Sequence, residues 1–195
     1  MSGELVGVVV GAVLGFLLSQ FGSIGTWILN KIRMKDSLYA EIENLNLKAD
    51  QAIRTCDETF ENISDGTFYF LKLPSRFRVH MVETIYPEVF LSLSPAERTA
   101  FDAIYGYVDN YNKNCDEMPS KTPEQRLMKA AQLKSYAIRL SLTADDLYKH
   151  GKHNRTYTKD DPFFEELTNR VMSIQGDVDQ AHTKGSQFSG FTSNS

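Results

Sequence analysis

The chain has 195 residues, of which 42% are hydrophobic and 24% charged, ordinary usage for a globular protein. Its net charge of −4 is unevenly spread: the first 35 residues set Lys31, Arg33 and Lys35 against Glu4, and the remainder holds 18 basic and 24 acidic side chains. An acidic domain is a poor general nucleic-acid binder, because that affinity comes from neutralising phosphates, and it is equally ill suited to lying flat on an anionic leaflet.

Leu5 to Leu29 read LVGVVVGAVLGFLLSQFGSIGTWIL, with no charge. At about 1.5 Å per residue this run is long enough to cross a hydrocarbon core of roughly 30 Å. Its second half is weaker, with Ser19, Gln20, Ser23 and Thr26, and Trp27 stands near the end, where an aromatic residue suits the headgroup level. A cleaved signal peptide carries its positive charge before the apolar run and a small-residue cleavage site after it. Here the basic residues follow the run and no A-x-A site does. Residues 1–33 are therefore expected to be a transmembrane anchor and basic stop. Because positive flanks stay in the cytoplasm, Lys31, Arg33 and Lys35 predict the N-terminus outside and the rest of the chain inside.

Gly3, Gly7, Gly11 and Gly15 recur every four residues, and Ser19 continues the row. Residues four apart share a helix face, and small side chains there let two backbones approach closely in lipid. The row Gly7, Gly11, Gly15, Ser19 is thus a candidate helix-packing surface, most simply for self-association into a homo-oligomer. The alternative is that glycine is merely common in membrane helices.

Beyond the anchor, Leu38, Ile42, Leu45, Ala49, Ala52, Cys56, Phe60 and Ile63 form a near-heptad stripe. No proline or glycine interrupts the chain after Gly25, so the anchor is expected to run on as one helix to about Ile63. The stripe suits either a parallel coiled coil or the first helix of a bundle. Two alanines and a cysteine make it a poor stand-alone zipper, which favours the bundle. Asp65-Gly66 breaks the helix, and the run TFYFLKL is too short to assign. Pro74-Ser75 then predicts a helix of about ten residues with Phe77, Met81 and Ile85 on one side, ended by Tyr86-Pro87.

Ser94-Pro95-Ala96-Glu97 has the grammar of a capping box, and Phe101, Ile104, Tyr105, Val108 and Tyr111 form the stripe that follows. Thr122-Pro123-Glu124-Gln125 opens another helix, through Leu127, Ala131, Ile138 and Leu142 to a stop at Gly151. Asp161-Pro162 opens the last, with Phe163, Leu167, Val171, Ile174 and Val178 inward. The expected fold is all-α: a transmembrane helix continuing into a cytosolic antiparallel helical bundle over 34–182, with a Gly/Ser-rich disordered tail over 183–195.

Chemistry is sparse. Cys56 and Cys115 share no metal-ligand spacing, and Cys56 falls on the apolar stripe, where a buried inert thiol is expected. His150 and His153 are three apart, but Gly151 lies between them and no further ligand is near. Asp145-Asp146, Asp160-Asp161 and Glu165-Glu166 are adjacent acids, which point about 100° apart on a helix and suit solvation better than acid–base work. There is no phosphate-binding glycine loop, nucleophile elbow or HExxH. No catalytic residue, cofactor or metal site is therefore assigned. The one basic cluster of the domain, around Lys149, Lys152 and Arg155 with Tyr148 and Tyr157 beside it, is either an anion contact or a solvated loop.

The segments GVVVGAVLGFLL, KIRMK and LPSRF, in that order, resemble a loose group of uncharacterised bacterial single-pass membrane proteins with a glycine-rich N-terminal anchor and a small helical domain. The resemblance implies an inner-membrane setting and carries no activity with it. The expected function is a membrane-tethered, self-associating, non-enzymatic module whose cytosolic bundle binds a protein partner. The alternatives are a pore-forming effector of a bacterial defence or toxin system, motivated by the Ser/Gln-containing half of the anchor, and an enzyme assembled from distant side chains.

Overall fold

The computed structural model describes residues 2–64, 75–118, 123–150 and 161–189. All elements among them are helical: α1 (Ser2–Ser64), a short α2 (Tyr86–Val89) that tightens into a 3-10 turn (Phe90–Ser92), α3 (Pro95–Glu117), α4 (Pro123–His150) and α5 (Pro162–Ser189). The chain is an all-α protein in which a long apolar N-terminal helix leads into a helical domain.

The 63 residues of α1 form one continuous helix, about 95 Å long at 1.5 Å per residue. Its two ends live in different surroundings. Val8, Val13, Phe16, Leu18, Phe21 and Trp27 each expose more than half their surface. From Leu38 the near-heptad stripe turns inward: Leu38, Ile42, Leu45, Ala49, Ala52, Cys56 and Phe60 are all buried. They are covered by the chain's own α4, so the bundle reading of this stripe holds and an extended coiled coil through it does not.

α4 is the hub. It packs on α1, α3 and α5, and the cross-helix bonds fix its direction. The Asn46 amide donates to Asp145 (2.7 Å), the Ser141 hydroxyl to Asp50 (3.3 Å), and the Lys134 ammonium pairs with Asp57 (2.6 Å). Partner numbers rise on α1 as they fall on α4, so the two are antiparallel. Lys129 bonds Asn114 and Glu117 near the start of α4, and Lys134 also reaches Asp177. α1, α3 and α5 thus run one way and α4 the other. This position explains why a four-residue stripe underestimates α4. Leu127, Ile138 and Leu142 are buried as expected, but so are Ala130, Leu133, Ala137, Leu140, Ala144 and Leu147. A helix with three neighbours buries most of its circumference and shows no clean amphipathic face.

Both helix starts within the described residues behave as their sequences predict. The Ser94 hydroxyl accepts from the Glu97 N–H (3.2 Å) and the Glu97 carboxylate accepts from the Ser94 N–H (2.7 Å), with Pro95 in the first turn. Asp161 accepts from the Phe163 N–H (3.0 Å) ahead of Pro162. On α5, Ile174 and Val178 are buried, and Phe163, Leu167 and Val171 are partly so.

The expected helix between Pro74 and Tyr86 is not there. Residues 75–80 have no regular secondary structure, and a turn follows them. The reason lies in the flanking helices, which supply the hydrogen bonds that helix formation would otherwise provide. Asn112 clamps Phe77 at both ends, accepting from its N–H (2.8 Å) and donating to its carbonyl (2.9 Å). Glu41 accepts from the N–H groups of His80 (2.6 Å) and Met81 (3.1 Å). Phe77 itself is buried, stacked on Tyr111 with ring centroids 4.2 Å apart. Pro87 likewise opens a helix instead of ending one, since its missing N–H is harmless in a first turn. At the other end, α5 continues through Thr183 to Ser189, past the expected start of the tail, because Gly185 and the serines around it do not stop a helix already under way. The Asp65-Gly66 break, TFYFLKL, Gly151 and the last six residues lie outside the described residues.

Candidate interaction surfaces

The first surface is the anchor end of α1. Its most apolar 18 residues have a mean hydropathy of 1.9 and none is buried, so one helix near the N-terminus is long and apolar enough to span a membrane. A signal sequence meets the same criterion. A Cβ added at Gly7, Gly11 or Gly15 would meet nothing within 4 Å, and Ser19 is exposed beside them. Nothing in the chain's own packing therefore requires these glycines, each of which lowers helix propensity by about 1 kcal/mol relative to alanine. In the second half, the Thr26 hydroxyl donates to the Gly22 carbonyl (2.9 Å).

The second surface is the exit of α1 into the bundle. The sequence marks Lys31, Arg33 and Lys35 as orienting charges. Two of the three also hold the domain. Lys31 donates to the Glu88 carbonyl on α2, with its ammonium 6.0 Å from the Trp27 ring centroid. Lys35 pairs with Glu97 at 2.8 Å. Arg33 points to solvent.

Glu97 is 2% exposed, and no pattern in the sequence singled it out beyond its capping role. It accepts from the Tyr39 hydroxyl (2.5 Å), the Lys35 ammonium and the Ser94 N–H. Burial pushes its pKa up, but those donors outweigh burial and hold the carboxyl below the ordinary carboxylate value of 4.5. Burial, then the bond to Glu97, drives the Tyr39 hydroxyl far above its usual value, so it stays a proton donor.

A second buried charge lies on α4. Lys134, 9% exposed, bonds Asp57 and Asp177 at 2.6 Å each and sits 5.4 Å from the Phe60 ring centroid. Burial lowers its pKa, and the two carboxylates more than reverse this. One ammonium thereby ties α4 to α1 and α5. Cys56 is buried and its thiol is pushed up to about 12, chiefly by burial; Cys115 is pushed up to about 11 for the same leading reason. Neither carries an appreciable thiolate fraction near neutrality, so both are poor nucleophiles. Among the described residues no three metal-ligating side chains converge.

Of the predicted basic cluster, only Lys149 can be placed. It lines a cleft of about 370 Å³ between α1 and α4 together with Glu43 and Asp145, and the neighbouring Tyr148 hydroxyl donates to Glu43 (3.2 Å). The charge there is mixed. Lys152 and Arg155 lie outside the described residues. A larger open groove, about 1080 Å³, runs between α1, residues 75–83 and α3, with Lys48, Phe77, Arg78, Tyr105 and Asp109 in its walls. Those residues come from three segments far apart in sequence. Only the tertiary clamp on residues 77–81 assembles them.

No protein-family model, curated protein or solved structure matches the chain.

Proposed function

We propose that this protein is a membrane-tethered, self-associating, non-enzymatic scaffold. Its anchor crosses the membrane with the N-terminus outside, and its helical bundle faces the cytosol and receives a protein partner. The observation that carries this reading is the bare apolar half of α1: a helix whose most apolar stretch is entirely uncovered by its own chain needs another apolar environment. The charges that follow at Lys31, Arg33 and Lys35 favour the cytosolic side for the domain. The open glycine row favours a helix–helix contact as well as lipid. The non-enzymatic reading is supported by how the bundle uses its buried titratable groups, since Glu97, Lys134 and Cys56 are each committed to capping, ion pairing or packing. The bacterial inner-membrane setting comes from the resemblance of the anchor and its basic stop.

A dimerisation assay in the bacterial inner membrane tests the tether and the contact together. The wild-type anchor is expected to give a self-association signal, and Gly11→Leu to reduce it several-fold at equal insertion. A signal equal to that of a monomeric reference helix, unaffected by the substitution, overturns self-association. Extraction of the full chain from membranes by alkaline carbonate overturns the tether itself.

A further inference from the structure

Trp27, Lys31, Lys35 and Tyr39 are spaced four apart and share one face of α1. That face looks at α2 and α3, because the Lys31 ammonium reaches the Glu88 carbonyl and Lys35 reaches Glu97. Lys31 also lies over the Trp27 ring. The short knuckle formed by α2 and the 3-10 turn therefore stands beside α1 where the bare apolar stretch ends, within one side chain of the residue four positions after Trp27. Four residues of helix are about 6 Å, comparable to the polar layer on each side of a hydrocarbon core.

At this height the knuckle carries Leu91, 87% exposed and the most exposed large apolar residue in the described chain. Its neighbour Phe90 is used differently: the Arg98 guanidinium lies 4.5 Å from its ring centroid, and Arg98 also donates to the Leu93 carbonyl. The knuckle is thus braced from behind, and Leu91 is left projecting from it three residues after Glu88, whose carbonyl Lys31 bonds one turn beyond the exposed Trp27.

We propose that the Tyr86–Ser92 knuckle is a second membrane contact, with Leu91 seated at the headgroup–acyl boundary of the leaflet that Trp27 marks. The inference rests on the reading of α1 as a membrane-spanning helix and goes further. The bundle is held at a set angle to the bilayer by two points, the helix and the knuckle, instead of swinging from one. Lipid is the occupant because the Lys31–Glu88 bond holds the knuckle at the end of the bare apolar stretch, the level at which an interfacial side chain meets the bilayer.

The single tryptophan of the chain makes the test direct. Three full-length proteins are reconstituted into phosphatidylcholine–phosphatidylglycerol vesicles whose acyl chains are brominated near the headgroup end: wild type, Trp27→Phe with Leu91→Trp, and Trp27→Phe with Met172→Trp. Met172 is a comparably exposed control on α5, well down the bundle. Matching helical content and melting midpoints establish that all three are folded. The expected result is quenching at position 91 of at least about half that of Trp27, and almost none at 172, as an interfacial residue requires. Quenching at 91 no greater than at 172, with Trp27 strongly quenched, overturns the knuckle contact and leaves the anchor intact. An unquenched Trp27 overturns the membrane reading and the knuckle with it.

Discussion

The two halves of α1 are made of one unbroken helix and obey different rules. Between Val8 and Ile32 the large apolar side chains ring the helix and stay exposed, whereas from Leu38 to Phe60 most keep to one stripe and are buried, Leu47 being the exposed exception. The first arrangement satisfies a solvent that is apolar on all sides; the second satisfies a protein core on one side and water on the other. The difference teaches that the border between environments is set by the angular distribution of side chains, not by any break in the backbone. It falls at Lys31 to Lys35, where the helix is docked by bonds to Glu88 and Glu97.

The contrast can be broken from either side. The largest effect is expected in the packed half. Leu45→Ala removes a fully buried side chain and should cost about 2–5 kcal/mol of domain stability, read by denaturant unfolding of the full chain in detergent. The matched change Leu14→Ala should leave that unfolding curve unmoved. Next, Leu14→Arg adds a charge near the middle of the apolar run and should disfavour insertion by about 3 kcal/mol. A shift out of the membrane fraction with unchanged domain melting is the expected readout. If both halves respond alike to either change, the two environments are not separate.

Two smaller effects sharpen the picture of how the packed half is held. Lys134→Met leaves Asp57 and Asp177 facing one another. Because both carboxylates are close to half exposed, solvent screens much of the effect, and a loss of about 1–2 kcal/mol is expected. A double-mutant cycle with Asp177→Asn should return most of it. The smallest is Glu97→Gln, expected to cost about 1 kcal/mol at neutral pH. Its signature is the pH profile. The folded carboxyl sits below its unfolded value of 4.5, so its contribution is complete above that value. As pH falls below about 4.5 the unfolded chain takes up the proton first, and the contribution is lost. Melting midpoints of the wild type should fall more steeply there than those of Glu97→Gln.

Much of this fold was readable in advance because its signals are local. The stripe of α1 repeats every three or four residues, the Ser94–Glu97 box lies within one turn, and Pro162 follows its Asp161 cap directly. What was not readable depends on partners far along the chain. Residues 75–80 stay out of a helix because Glu41 and Asn112, more than 30 positions away, supply backbone hydrogen bonds. The burial of Glu97 depends on Lys35 and Tyr39, and the Lys134 bridge joins three helices. Of the site residues named from sequence, the glycine row and the orienting charges stand on helix faces that periodicity defines. Lys149 shares its cleft with Glu43 from α1, which no local pattern announces.

The hub position of α4 has a consequence for biosynthesis. On the ribosome, α1 and α3 emerge before the helix that both must pack against, and α5 follows it. While residues 123–150 are still to be made, the inward stripes of α1 and α3 have no shared partner, although the anchor has already left the exit tunnel. The bundle can close only late in translation, and a chain cut short before Pro123 keeps the whole apolar half of α1 while lacking the centre of its domain.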